Sequence, residues 1–132
     1  MERRARVRTC LLLTLALAGG SCAGATRIEV PSTLPNVTRQ DFLTLRWALL
    51  REGGTARAVG LAEPSTPIPW DATLDLFGLD GRGRIVSRGT TVVRQDFAPG
   101  PTAFEVALVE TNRETEFQLH VAHSRQTSRS GD

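Results

Sequence analysis

The chain has no lysine and no tyrosine, only two cysteines, and only two histidines. Each scarcity removes a class of chemistry. Without lysine, the glycine-rich stretch Gly78 to Gly83 cannot act as a P-loop phosphate cradle, which also needs a strand-to-helix setting. Cys10 lies inside an apolar leader, so Cys22 is left without a partner. No disulfide framework can staple the rest of the chain, and the fold must stand on its core. Long hydrophobic runs are missing too. The longest, Cys10 to Ala18, is nine residues, about 13 Å as a helix against a bilayer core of about 30 Å. Positive charge is scarcer than the totals suggest. The whole chain carries +2 with a pI near 9.0, but four arginines and Glu2 fall in the first 21 residues. The remainder holds 12 arginines against 13 acidic residues. No basic excess remains to neutralise phosphates, so no nucleic-acid partner is expected.

What is present begins with the leader. Arg3, Arg4, Arg6 and Arg8 precede the run Leu11 to Ala18, and Gly19-Gly20-Ser21-Cys22-Ala23-Gly24 follows. A basic head, a short apolar middle and a small-residue end are the parts of a secretory signal, with the positive charge on the side that stays in the cytoplasm. Gly19-Gly20-Ser21-Cys22 resembles the lipobox of bacterial lipoproteins, in which the cysteine becomes the first mature residue and carries diacylglycerol. The resemblance implies a signal peptide over 1–21 and lipid attachment at Cys22. It further implies a cell-envelope location in which the membrane itself, through the lipid anchor, is a partner. Ala23 after the cysteine is similar to members sorted to the outer membrane, facing the periplasm. Two or more acyl chains hold a protein stably, whereas one gives marginal binding. Ordinary cleavage at Ser21-Cys22-Ala23 or Ala23-Gly24-Ala25 is the alternative. It would release a free periplasmic or secreted protein binding a small ligand or carbohydrate.

Residues 22–40 read as a tether with Pro31 and Pro35, and with an edge strand over Arg27 to Val30. Asn36-Val37-Thr38 matches a glycosylation acceptor by chance. From Phe42 to Arg51, Leu43, Leu45, Trp47 and Leu49 alternate with the rest, as a half-buried strand requires; a helix is the rival reading. Gly53-Gly54 is a hairpin turn into Thr55 to Glu63. Pro64, Pro67 and Pro69 make the next stretch a loop. Asp71 to Leu79 alternates again, with Ala72, Leu74 and Leu76 inward and Thr73 and Asp75 outward. Asp80-Gly81 turns the chain into Arg84 to Phe97, where Gly89 marks a bulge or a change of sheet. Phe104, Val106 and Leu108 define one further strand, and Phe117, Leu119 and Val121 another, with a turn at Asn112-Arg113-Glu114. Six or seven strands without a helix predict an all-β antiparallel sandwich or barrel over residues 41–124. The polar end, 125–132, is expected to be disordered.

Two stretches carry a family resemblance. Thr73 to Val86 is similar to the strand, Asp-x-x-Gly turn and return strand of FxLyD-type and related immunoglobulin-like domains of bacterial envelope proteins. Phe97 to Val106 is similar to their Pro-Gly turn leading into a Phe-x-Val strand. The resemblance implies an immunoglobulin-like sandwich without catalytic residues, serving as a binding or assembly module for other envelope proteins.

The residues themselves offer little chemistry. His120 and His123, three apart on a strand, point to opposite faces unless a bulge intervenes, so no metal site is expected. Glu110, Glu114 and Glu116 cluster at a turn, and Asp71 and Asp75 share a strand, but neither set marks a cleft. Asp75, Asp80 and Gly81 lack the spacing of a calcium loop. No nucleophile elbow occurs. The reading is therefore a non-enzyme without cofactor. Trp70, at the end of the proline-rich loop, is the candidate partner contact; its competing role is to plug one end of the sandwich.

Overall fold

A computed structural model describes residues 27–95 and 100–127. The expected signal peptide over 1–21, Cys22 and the last five residues lie outside that span. The described chain forms seven strands: β1 Asn36–Gln40, β2 Leu43–Glu52, β3 Thr55–Pro64, β4 Trp70–Leu79, β5 Ile85–Gln95, β6 Thr102–Val109 and β7 Glu116–Gln126. They make two antiparallel sheets, ordered β1-β2-β3-β6 and β5-β4-β7. Four strands stack on three, as in constant immunoglobulin domains. The wiring is this chain's own: β1, β2 and β3 are a continuous meander in one sheet, where the immunoglobulin pattern sends its second and third strands to opposite sheets.

Period-two alternation places the core. Leu43, Leu45 and Trp47 of β2, Phe104, Val106 and Leu108 of β6, Ala72, Leu74 and Leu76 of β4, and Leu119 and Val121 of β7 are all buried between the sheets. On β3 the inward positions are Ala56, Ala58, Gly60 and Ala62. Small side chains there leave room for Trp47 and Phe104. A Cβ on Gly60 would sit 1.9 Å from the Arg46 carbonyl oxygen, so only glycine fits.

The turns follow local stereochemistry. Gly53 and Gly54 take φ of 58° and 83° between Glu52 and Thr55, as a two-residue hairpin of the I′ kind requires. At the β4–β5 turn it is Gly83, at φ 78°, that adopts the left-handed conformation, not Gly81. The turn is built around Asp80 instead, whose Oδ1 accepts the Arg82 and Arg84 amides, both at 2.9 Å. Gly89 is neither a bulge nor a switch of sheet: its pairing with Leu76 is regular. It is a crossing point, where an added Cβ would lie 1.9 Å from the Ala107 carbonyl oxygen of β6.

Three other expectations change. The first strand is Asn36–Gln40, not Arg27 to Val30; the earlier segment joins no strand among the described residues, whereas β1 pairs with β2 from Asn36↔Trp47 to Gln40↔Leu43. The first residues of the polar end enter the sheet, because β7 continues to Gln126 and Arg125 bonds Asp71 at 2.9 Å. Asp75 points outward as expected but is buried, only 3% exposed, because it lies on a central strand under longer side chains from both neighbours.

Side chains close the two open sides of the sandwich. The Gln40 amide mimics a strand residue beside β7: its Nε2 donates to the Val121 carbonyl at 2.6 Å, and its Oε1 accepts the Val121 amide at 3.1 Å. Trp47 Nε1 donates to Thr38 Oγ1, which donates onward to the Leu119 carbonyl. On the other side Gly89 lets β5 approach β6, and Gln95 bonds both Thr102 and the Gly100 carbonyl.

Candidate functional site

The outer face of the β5-β4-β7 sheet is where the structure assembles polar chemistry. Since Ala72, Leu74 and Leu76 point inward, Asp71, Thr73, Asp75 and Phe77 point outward. Cross-strand register then lays out four rows: Arg94–Asp71–Arg125, Val92–Thr73–His123, Thr90–Asp75–His120 and Arg88–Phe77–Gln118.

One irregularity sets this pattern. Thr73 pairs with His123 and Leu74 with Val121, so Ala122 is an extra residue in β7. This β-bulge resets the alternation and turns His120 and His123 to the same face. The sequence shows the spacing of three but gives no signal for the bulge. Even so, the two imidazoles sit in neighbouring rows, and among the described residues no group of three or more His, Cys, Asp or Glu could hold a metal ion.

The carboxylates of this face are sunk and engaged. Asp75 Oδ2 accepts from Arg88 Nη2 at 2.9 Å, and its Oδ1 accepts from Thr90 Oγ1 at 2.6 Å. Asp71 Oδ2 accepts from Arg125 Nε and Nη2 at 3.3 and 2.9 Å. The arginines lie above them: the Arg88 and Arg125 side chains are 61% and 66% exposed, those of Asp75 and Asp71 only 4% and 17%. Arg88 also stands over the Phe77 ring, 5.7 Å from its centroid, and the His120 ring packs against the same Phe at 5.3 Å. His120 Nε2 is 3.1 Å from Gln118 Oε1. The result is a flat face with a cationic upper layer and an aromatic centre at one end.

The opposite outer face is different in kind. Arg27, Glu29, Leu50, Arg57 and Glu105 line one shallow recess there, so the segment before β1 runs across the four-stranded sheet. Beneath that sector Ala48 and Val59 point outward, yet are only 8% and 1% exposed. Half-buried Ile28 and Val30 alternate with exposed Arg27 and Glu29, as a segment laid on a surface would. The residues expected to be a free tether are therefore docked from Arg27 onward.

The other candidates separate. Trp70 is 1% exposed and meets Phe42 edge to face at 6.3 Å. It plugs the end of the sandwich and offers no contact surface. Its Nε1 has no hydrogen-bond partner among the described residues. The three glutamates of the β6–β7 turn do not converge. Glu110 bonds Arg51, and Glu116 accepts from Gln118 at 3.2 Å. Glu114 clasps the turn, accepting the Thr111 amide at 2.8 Å, the Thr111 hydroxyl at 2.7 Å and the Arg113 amide at 3.1 Å. Desolvation pushes the Glu114 carboxyl upward, but these bonds outweigh it and hold the pKa at about 2. Cys22 lies outside the described residues.

Neither a protein-family model, nor a curated protein, nor a solved structure matches this chain. The geometry of its faces therefore carries the functional argument.

Proposed function

We propose that this chain is an envelope lipoprotein, held to a membrane through diacylglycerol on Cys22, whose β-sandwich is a non-catalytic binding or assembly module. The leader and the lipobox-like Gly19-Gly20-Ser21-Cys22 support the tether. The observation that carries the binding role is the asymmetry of the two faces. The segment from Arg27 covers part of the four-stranded sheet, while among the described residues nothing covers the outer face of the three-stranded sheet, with its exposed arginines and histidines over engaged carboxylates. A protein attached through its N-terminus then presents the open face away from its anchor. Sorting to the outer membrane, facing the periplasm, follows from Ala23 under the same reading.

Metabolic labelling with a palmitate analogue tests the tether. The wild-type chain should take up the label, and Cys22→Ala should abolish it. An unlabelled wild type whose intact mass shows cleavage after Ala23 or Ala25 would replace this reading with that of a freely secreted sandwich.

A further inference from the structure

The geometry points to an acidic, extended protein segment as the partner of the β5-β4-β7 face. The inference rests on the binding-module reading, but not on the lipid anchor.

Across the four rows no exposed side chain is a carboxylate: the exposed polar groups include the guanidiniums of Arg88, Arg94 and Arg125 and the imidazoles of His120 and His123. The two carboxylates in the same rows are withdrawn beneath Arg88 and Arg125, each with its charge already met. An approaching partner therefore meets guanidinium and imidazole groups first. Among the described residues of this sheet, the first exposed carboxylate, Glu116, lies beyond the fourth row, opposite Leu79. The other outer face has no such bias: Arg39, Arg46 and Arg57 are interspersed with Glu52, Glu63 and Glu105.

The apolar content narrows the partner class. Val92 is 65% exposed in the second row, and Phe77 lies between Arg88 and His120 in the fourth. An acidic polysaccharide or a lipid headgroup layer has carboxylates or phosphates for the arginines, but no side chains to set against Val92 and Phe77. An acidic peptide with interspersed apolar residues has both. Size agrees. Three strands at about 4.8 Å and four rows at about 7 Å make a patch of only a few hundred Å², below the ~800 Å² per partner of a standard protein interface but suited to a segment of about eight residues. Arginine recognises carboxylates through its planar fork, and such charge complementarity sets specificity and on-rate.

The test uses the full chain, solubilised in a zwitterionic detergent, and a fluorescein-labelled peptide of about eight residues alternating Glu and Leu. Fluorescence anisotropy should show binding that weakens with salt, and the Gln-Leu version of the peptide should not bind. Arg94→Glu and His123→Glu should each weaken binding about tenfold; the bonds of Asp71 and Asp75 come from Arg125, Arg88 and Thr90 instead, so the fold should survive, as circular dichroism would verify. Arg46→Glu, on the opposite face, should leave affinity unchanged. Equal losses from Arg46→Glu and Arg94→Glu, or equal binding of the Glu-Leu and Gln-Leu peptides, would overturn the assignment. So would tighter binding to polygalacturonate or to phosphatidylglycerol vesicles than to the peptide. Palmitate labelling on the same preparation reports on the anchor separately, so either result can fail without the other.

Discussion

Asp75 shows how a single residue turns a surface into a built one. A buried carboxylate is costly unless its charge is met. Here Arg88 and Thr90 meet it from β5, and the Arg88 bond holds that guanidinium over Phe77. Arg88→Ala should therefore destabilise the domain by about 1–3 kcal/mol, because it strips a buried acceptor of its charged donor. Urea unfolding would measure this, and Asp75→Asn, which retains an oxygen for Thr90, should be milder. A loss from Arg88→Ala no greater than that of an ordinary surface arginine would contradict the account. Glu114 makes a pH-dependent contribution. Its carboxyl is held at about 2 against an ordinary 4.5. A depressed folded-state pKa stabilises at pH values above the unfolded value, and that stability is lost as pH falls through the interval from 4.5 to about 2. Glu114→Gln should flatten this part of the acid limb in a series of urea midpoints between those two values. An unchanged slope would mean that the clasp is not formed in solution.

At the scale of elements, much of the fold was legible because it rests on period two and on turn stereochemistry. The inward sets of β2, β4, β6 and β7 are the alternating Leu, Val, Phe and Ala positions of the sequence. The Gly53-Gly54 hairpin is visible as a glycine pair between two apolar runs. What was not legible depends on contacts between distant strands. The Ala122 bulge leaves no mark in composition, yet it decides that His120 and His123 share a face. Gly89 announces that a side chain is forbidden, but not that β6 is the reason. Asp75 looks solvated in one dimension and becomes buried only once Arg88 and Thr90 stand beside it. β1 was overlooked because Asn36 to Gln40 has one strongly apolar residue, Val37; it is held by pairing with β2 and by the Gln40 amide. Gln40→Ala removes both bonds to Val121 and should cost about 1–2 kcal/mol. Hydrogen exchange at the Val121 amide should accelerate accordingly, while exchange in the β2–β3 hairpin stays near wild type. Unaltered protection at Val121 would show that another group satisfies it.

For the whole molecule, the arrangement of faces makes the proposed anchoring a statement about orientation. Four residues separate Cys22 from Arg27, and the five backbone steps between them give a covalent reach of at most about 18 Å. Arg27 lies on the outer face of the four-stranded sheet. In vesicles carrying the lipidated chain, a fluorophore at Arg46→Cys should be quenched by headgroup-attached quenchers more strongly than one at Val92→Cys, since the two positions lie on opposite faces. The reverse order would place the three-stranded sheet against the bilayer and remove its availability to a partner.

The side-chain seams between β1 and β7 and between β5 and β6 have a consequence for crowding. A strand whose backbone amides and carbonyls end in water is a template on which a second copy can add, and neighbouring molecules polymerise through such templates. Gln40 occupies the Val121 positions on one flank, and Ala107 crowds Gly89 on the other. At these two points the edge of the three-stranded sheet is already occupied from within the molecule, which narrows the stretch of edge on which a second copy could add.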